Sequence, residues 1–239
     1  MSETNDRPSK RPVFAFVAAG LVFYGGLLYC VDISGAPVAP STGGELVFSD
    51  DFERAEIGNG YRQGAADQGH RAGVWKITDG RLAGEKIHNA ALWLRTALPE
   101  KVRVEFDARA ETDTGDVKCE IFGDGLTHQS GYIVIMGGWH NTTNCIARQD
   151  EHGEDRKNDL RCPRPGNKTT CMEPAVDYHW VVERTDDTVR WYVDGALMLT
   201  FRDGHPLAGA HFAFNNWEAK VSFDNLAIYD LGAGSSSGP

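Results

Sequence analysis

From Glu45 to Tyr229 no stretch of the chain has a helical period; short runs in which every second residue is apolar follow one another, broken by Gly, Asp and Asn. A chain of this kind can bury its apolar positions only by pairing strands and packing one sheet on another. The runs predict strands over Glu45–Ser49, Val74–Ile77, Arg81–Ala83, Ala90–Ala97, Val102–Ala110, Asp116–Phe122, Tyr132–Met136, Cys145–Gln149, His179–Arg184, Thr188–Val193, Ala196–Phe201, His211–Asn215 and Ala219–Tyr229. Asp79-Gly80, Asp186-Asp187 and Asp194-Gly195 supply the residues that tight hairpin turns need. Val102, Val104, Phe106 and Ala108 share one face of their strand, and Val189, Trp191 and Val193 share one face of theirs, so these positions are assigned to the core. The expected fold is all-β: a two-sheet antiparallel sandwich, preceded by one transmembrane helix.

That helix is read from the N-terminus. Residues 1–12 are polar and include Arg7, Lys10 and Arg11; Val13 to Val31 then run for 19 residues without a charge. A spanning helix needs about 20 such residues, and a secretory apolar core is usually about 7–15. Basic residues ahead of the run and Asp32 behind it place residues 1–12 in the cytoplasm and the rest outside. Residues 13–33 are therefore expected to be an anchor, 34–44 a Pro- and Gly-rich linker, 45–231 the sandwich and 232–239 a flexible tail. Cleavage near Gly35-Ala36, which would release a secreted domain, and lipidation of Cys30 are the alternatives.

The 239 residues suit one large β domain with such an anchor, and the net charge of −10 argues against a nucleic-acid partner, for which a basic footprint is expected. Neutral sugars are unaffected by that argument.

The stretches LVFSDDFER (Leu46–Arg54), VWKITDGRLAG (Val74–Gly84), VRVEFDARA (Val102–Ala110), HWVVERTDDTVRWYVDGALMLTF (His179–Phe201) and KVSFDNLAIYDL (Lys220–Leu231) together resemble the concanavalin A-like lectin and glucanase domains, in their laminin-G-like and keto-disaccharide-hydrolase-like branches. The resemblance covers roughly residues 45–231 and implies a curved jelly roll whose concave face binds or cuts glycans, often with a Ca²⁺ site. For Ca²⁺ it points to Asp50, Asp51 and Asp224, near the two ends of the domain. The Glu-x-Asp-x-x-Glu strand of family 16 glycoside hydrolases is missing, so their retaining mechanism does not carry over.

The densest polar set runs from Asp116 to Arg156. Asp116, Lys118 and Glu120 alternate on one strand and share a face. Carboxylates two positions apart lie about 7 Å apart at Cα, compatible with either glycosidase geometry. Lys118 between them is expected to lower both pKa values, which suits a salt-bridged exposed face better than a general acid. Behind Gly137-Gly138 come Trp139, His140 and Asn141, then Arg148, Glu151, His152 and Arg156. Sugars are held by an aromatic ring on their apolar C–H face and by planar polar groups on their hydroxyls. Trp139, Asn141, Arg148, His152 and Arg156, with Trp93 and His88, are accordingly the candidate ligand contacts; Asp116, Glu120, His140 and Glu151 are the candidate catalytic groups.

Beyond Cys30 the chain has Cys119, Cys145, Cys162 and Cys171, an even number that outside the membrane suggests two disulfides. Cys162–Cys171 would close the loop RCPRPGNKTTC and leave Cys119–Cys145. Three functions remain open: a glycan-binding domain at the cell envelope, a glycoside hydrolase or polysaccharide lyase using residues 116–156, and a structural or protein-interaction domain. Composition leaves the oligomeric state open.

Overall fold

A computed structural model describes residues 39–160 and 170–233. The expected anchor at 13–33 and Cys162 lie outside the described residues. Among those described, no helix is long and apolar enough to cross a membrane.

The described residues form fifteen strands. The first five are β1 (Glu45–Asp50), β2 (Tyr61–Gln63), β3 (Val74–Thr78), β4 (Arg81–Glu85) and β5 (Leu92–Leu94). Then come β6 (Val102–Ala110), β7 (Val117–Gly123), β8 (Tyr132–Gly137), β9 (Thr143–Arg148) and β10 (Lys157–Asp159). The last are β11 (Tyr178–Thr185), β12 (Thr188–Val193), β13 (Ala196–Arg202), β14 (His211–Asn216) and β15 (Lys220–Asp230). They make two antiparallel sheets. One has eight strands in the order β13-β12-β11-β6-β15-β4-β3, with β1 also on β15; the other has seven in the order β10-β9-β8-β7-β14-β5-β2.

The core lies between the sheets. Val102, Val104, Phe106, Ala108 and Ala110 of β6 and Val189, Trp191 and Val193 of β12 meet Val117, Cys119 and Ile121 of β7 and Phe212 and Phe214 of β14. Phe106 is its hub, with Trp180, Phe212, Phe214 and Phe223 all within 6.0 Å between ring centroids. The alternation marked the inward faces of β6 and β12 correctly because each strand has one face against the other sheet. The turns follow suit: Asp79, Asp186 and Asp194 take positive φ (51°, 51° and 49°), which Asp tolerates better than most residues. Two short edge strands, β2 and β10, carry no alternation long enough to read, and the run Ala90–Ala97 is a strand only over Leu92–Leu94.

One disulfide expectation is corrected. Cys119 and Cys145 are separate thiols, both buried. Cys119 faces Val134 of β8 and belongs to the core between the sheets, whereas Cys145 faces Ile135 and packs with Ile133 and Ala147 on the opposite side. Two thiols on opposite faces of a sheet, with a strand between them, cannot be bridged. Burial raises the Cys145 thiol to about 12 and pushes that of Cys119 well up too. Both thiols are therefore expected to resist a thiol-specific reagent such as dithionitrobenzoate in the folded protein and to react only with unfolding. Their labelling rate should track denaturant concentration, and prompt labelling under native conditions would contradict this packing.

Candidate active site

Because Val117, Cys119 and Ile121 point into the core, Asp116, Lys118 and Glu120 project from the outer face of the seven-stranded sheet. They do not make the exposed face expected of them: every residue of β7 is buried. Loops from β8–β9, β9–β10 and β14–β15 fold over that face and flank an open cavity of about 390 Å³ at the end where β7 begins. Its lining includes Asp116, Lys118, Trp139, His140, Glu151, His152 and Trp217, with Asp67, Asn89 and Glu218.

The Lys118 ammonium is the centre of the floor. It stands 2.9 Å from Glu151 Oε2, 3.2 Å from Asp116 Oδ1 and 3.1 Å from Asn89 Oδ1, so its three hydrogens all have acceptors. Asn89 in turn donates to Asp67 Oδ2 at 2.9 Å. Burial alone would lower the Lys118 pKa, but the two carboxylates outweigh it and hold it above its ordinary value. Glu151 is pushed up by burial and pulled down further by Lys118, ending below its ordinary value. Asp116 goes the other way. Burial, reinforced by the nearby Glu151 charge, raises it in spite of Lys118. The expectation that Lys118 lowers both carboxylates on its own strand is thus corrected twice: Asp116 rises, and the second partner is Glu151, reached across the sheet face, in place of Glu120.

Glu120 sits one register step along and serves a different set. It is fully buried and accepts from Asn215 Nδ2 at 2.9 Å and from the Gln129 backbone at 3.2 Å, and it pairs with His128 Nδ1 at 2.7 Å. Burial would lower the His128 pKa, yet the Glu120 charge raises it. His128 Nε2 is buried without a partner among the described residues.

The walls come from an unusual piece of backbone. Gly137, Trp139, His140 and Asn141 all have left-handed φ (68°, 50°, 60° and 62°), and a left-handed conformation costs a non-glycine residue about 1–2 kcal/mol. Such strain persists only where the surroundings impose it, and it gathers at binding and catalytic sites. Here the turn is clamped from beneath. Gly115 packs backbone to backbone against Gly137 O, where any Cβ would collide, and Asp116 N donates to the same carbonyl at 2.7 Å. Trp139 rests on the apolar patch of Ile133, Ile135, Cys145 and Ala147. The Arg156 guanidinium lies 4.5 Å from its ring centroid and donates to Glu151 O at 2.8 Å, so Arg156 braces both the indole and the acidic loop. The exposed His152 ring meets Trp139 edge-on at 5.6 Å.

Several expected contacts stand elsewhere. Asn141 is fully buried and bonded on both sides of its amide to backbone groups of Asp113, Cys171 and Met172, so it is a structural peg. Arg148 binds Asp203 at 2.8 Å and His205 O at 3.1 Å, away from the cavity. Trp93 is buried beneath Gly64 and Gly123 and offers no platform. His88 backs the Trp217 wall, 5.2 Å between rings, and pairs with Glu218 at 3.2 Å. The proposed Ca²⁺ ligands do not converge. Asp50 is taken by Arg54 and by the Tyr61 hydroxyl at 2.7 Å, Asp51 caps Glu53 N, and Asp224 pairs with Arg81 at 3.2 Å. Among the described residues no group of three or more His, Cys, Asp or Glu side chains stands where it could hold a metal ion.

Comparison with known proteins bears on the fold. A family profile described as a domain of unknown function (DUF6250) matches residues 126–226. No curated protein matches the sequence. Among solved structures, the chain is similar to the carbohydrate binding module CBM66 from Bacillus subtilis, with TM-score 0.55 and 16% identity over 72% of this chain and 96% of that one. It is similar to SCLam, a non-specific endo-β-1,3(4)-glucanase of family GH16, with TM-score 0.57 and 15% identity over 82% and 94% of the two chains. It is also similar to a Bacillus subtilis protein of unknown function with a galectin-like fold, with TM-score 0.54 and 12% identity over 79% and 97%. These likenesses bear on the fold alone, and they agree with the two-sheet antiparallel jelly roll that the resemblance implied.

Proposed function

We propose that this chain is a glycan-recognition domain that holds a short saccharide in the Trp139–Trp217 cavity, and that residues 13–33 anchor it on the outer side of the cytoplasmic membrane. The observation that carries the proposal is the cavity itself: two indoles and two largely buried carboxylates lining one open-mouthed space. A sugar ring has apolar C–H faces that pack on an indole and hydroxyls that satisfy buried acceptors. The volume of about 390 Å³ is within the usual range for a small ligand. The strained turn that carries Trp139 and His140 fits a preorganised site. The similar structures include a carbohydrate binding module and a glucanase, which agrees with a glycan ligand without naming one. The anchor rests on the uncharged run from Val13 to Val31 and the basic residues ahead of it.

A hydrolytic reading is favoured by one observation, the opposite shifts of Asp116 and Glu151, which is how an acid and a base are told apart in a glycosidase. Against it, the Lys118 ammonium bridges the two carboxylates. Recognition is therefore the first reading.

The test is a glycan array and a polysaccharide-turnover assay on the full-length protein, beside Trp139→Ala and Trp217→Ala. Loss of binding by roughly tenfold or more in both variants, with an unchanged far-ultraviolet circular dichroism spectrum, is expected. Release of reducing ends would move hydrolysis to the front. Silence across the panel from a folded protein would overturn both glycan readings in favour of a protein partner.

A further inference from the structure

We infer that the saccharide taken by this cavity is cationic: an amino sugar whose amine is free, in preference to its N-acetylated, neutral or uronic-acid counterparts. The inference rests on the glycan reading above and concerns which glycan.

The cavity lining holds four carboxylates, Asp67, Asp116, Glu151 and Glu218, against the single ammonium of Lys118. That ammonium has nothing left to give, because its three hydrogens already serve Asp116, Glu151 and Asn89. The acceptors, by contrast, are not exhausted. The Glu151 side chain is only 8% exposed, and its Oε1 accepts no hydrogen bond among the described residues; the His152 ring comes no nearer than 3.8 Å, at Nε2. Asp116 uses Oδ1 for Lys118 and for Trp217 N at 3.1 Å, and its Oδ2 accepts from none of the described residues. Two largely buried carboxylates thus each keep an oxygen without a protein donor in a cavity they both line, open to water or to the donors of a ligand.

Ligand chemistry then sorts by what it brings. A hydroxyl both donates and accepts, so a neutral sugar satisfies part of the floor. A uronic acid brings more acceptors and a like charge, and the net charge of −10 on the chain repels it further. An acetamide brings a carbonyl oxygen to a floor whose one cationic donor is already used. An ammonium brings three donors and a charge of sign opposite to that of the lining carboxylates.

Calorimetric titration of the full-length protein with the trimers of glucosamine, N-acetylglucosamine and galacturonic acid, at a mildly acidic pH that keeps the amine protonated, tests this. The glucosamine trimer is expected to bind roughly tenfold or more tightly than the N-acetylated trimer, and to lose most of that margin in high salt. Galacturonate should give no heat. Asp116→Asn should narrow the margin. So should Glu218→Gln, at a rim carboxylate 64% exposed, where the fold is not at stake. An N-acetylated or uronic trimer binding as tightly as the glucosamine trimer overturns the inference and leaves the glycan reading standing. The same holds if none of the three binds while the array shows another sugar bound. A silent array removes the glycan reading itself.

Discussion

Replacing Lys118 with Ala is expected to cost about 3–5 kcal/mol of folding stability at neutral pH, because it leaves buried carboxylates without their cation. Its ammonium is held by Asp116, Glu151 and Asn89, and its side chain is 3% exposed. The pH dependence gives the cause away. In the native protein Glu151 lies below its ordinary pKa, so it contributes stability above the unfolded value that is lost as pH falls through the folded one. Asp116 lies above its ordinary value, so ionising it on the way to neutrality subtracts from stability. Without Lys118 both carboxylates move upward, and both become penalties that grow between the unfolded and folded values. The deficit of Lys118→Ala should therefore shrink as pH is lowered and the carboxyls take up protons. Urea denaturation of the two proteins at neutral and at acidic pH measures this directly. Lys118→Met, which keeps most of the volume, should show the same trend. A deficit independent of pH would mean that Lys118 matters for packing and that the carboxylates are relieved by water.

The same residues show where the sequence could be read and where it could not. Alternation located β6, β7 and β12 and the inward faces of β6 and β12, since strand periodicity and one-sided burial are both local facts. It put Asp116, Lys118 and Glu120 on a common face correctly. It could not say which of them would pair, because the partner of Lys118 is Glu151 from the β9–β10 loop, 33 positions away. Residue type pointed to Asp116, Trp139, His140, Glu151 and His152, all of which line one cavity. It missed Asp67, Asn89, Glu218 and His128. These are single polar residues in loops with no motif spacing, and only the closing of loops over the sheet brings them in. For Cys119 and Cys145 the deciding fact is parity: their partners Val134 and Ile135 are adjacent on β8, hence on opposite faces, and that is visible only once the register is known. Asn141 failed for another reason. An amide that grips a ligand and an amide that grips backbone have the same spelling, and only its burial separates them.

Asn141→Ala is accordingly expected to lose about 3–4 kcal/mol of stability, from backbone groups stranded inside the fold and from Ala held at a φ of 62°. Its Nδ2 donates to Asp113 O at 3.0 Å and Met172 O at 2.7 Å, and its Oδ1 accepts from Cys171 N at 3.1 Å and Met172 N at 2.8 Å. One side chain thus ties the left-handed turn to two other segments. Removing it also frees Trp139 and His140, the neighbours in that turn, so ligand binding should fall together with stability. Asn141→Gly separates the two contributions. It relieves the backbone strain and restores none of the side-chain bonds, so it should recover only about 1 kcal/mol of the loss. Asn141→Asp keeps the acceptor but turns the donor into a second acceptor against the carbonyls of Asp113 and Met172, so it should fare no better than Ala. Chemical denaturation of the three variants, with saccharide binding measured on each, distinguishes a peg from a contact. A peg loses both properties in step, whereas a residue that touched the sugar would lose affinity in Asn141→Ala at nearly full stability.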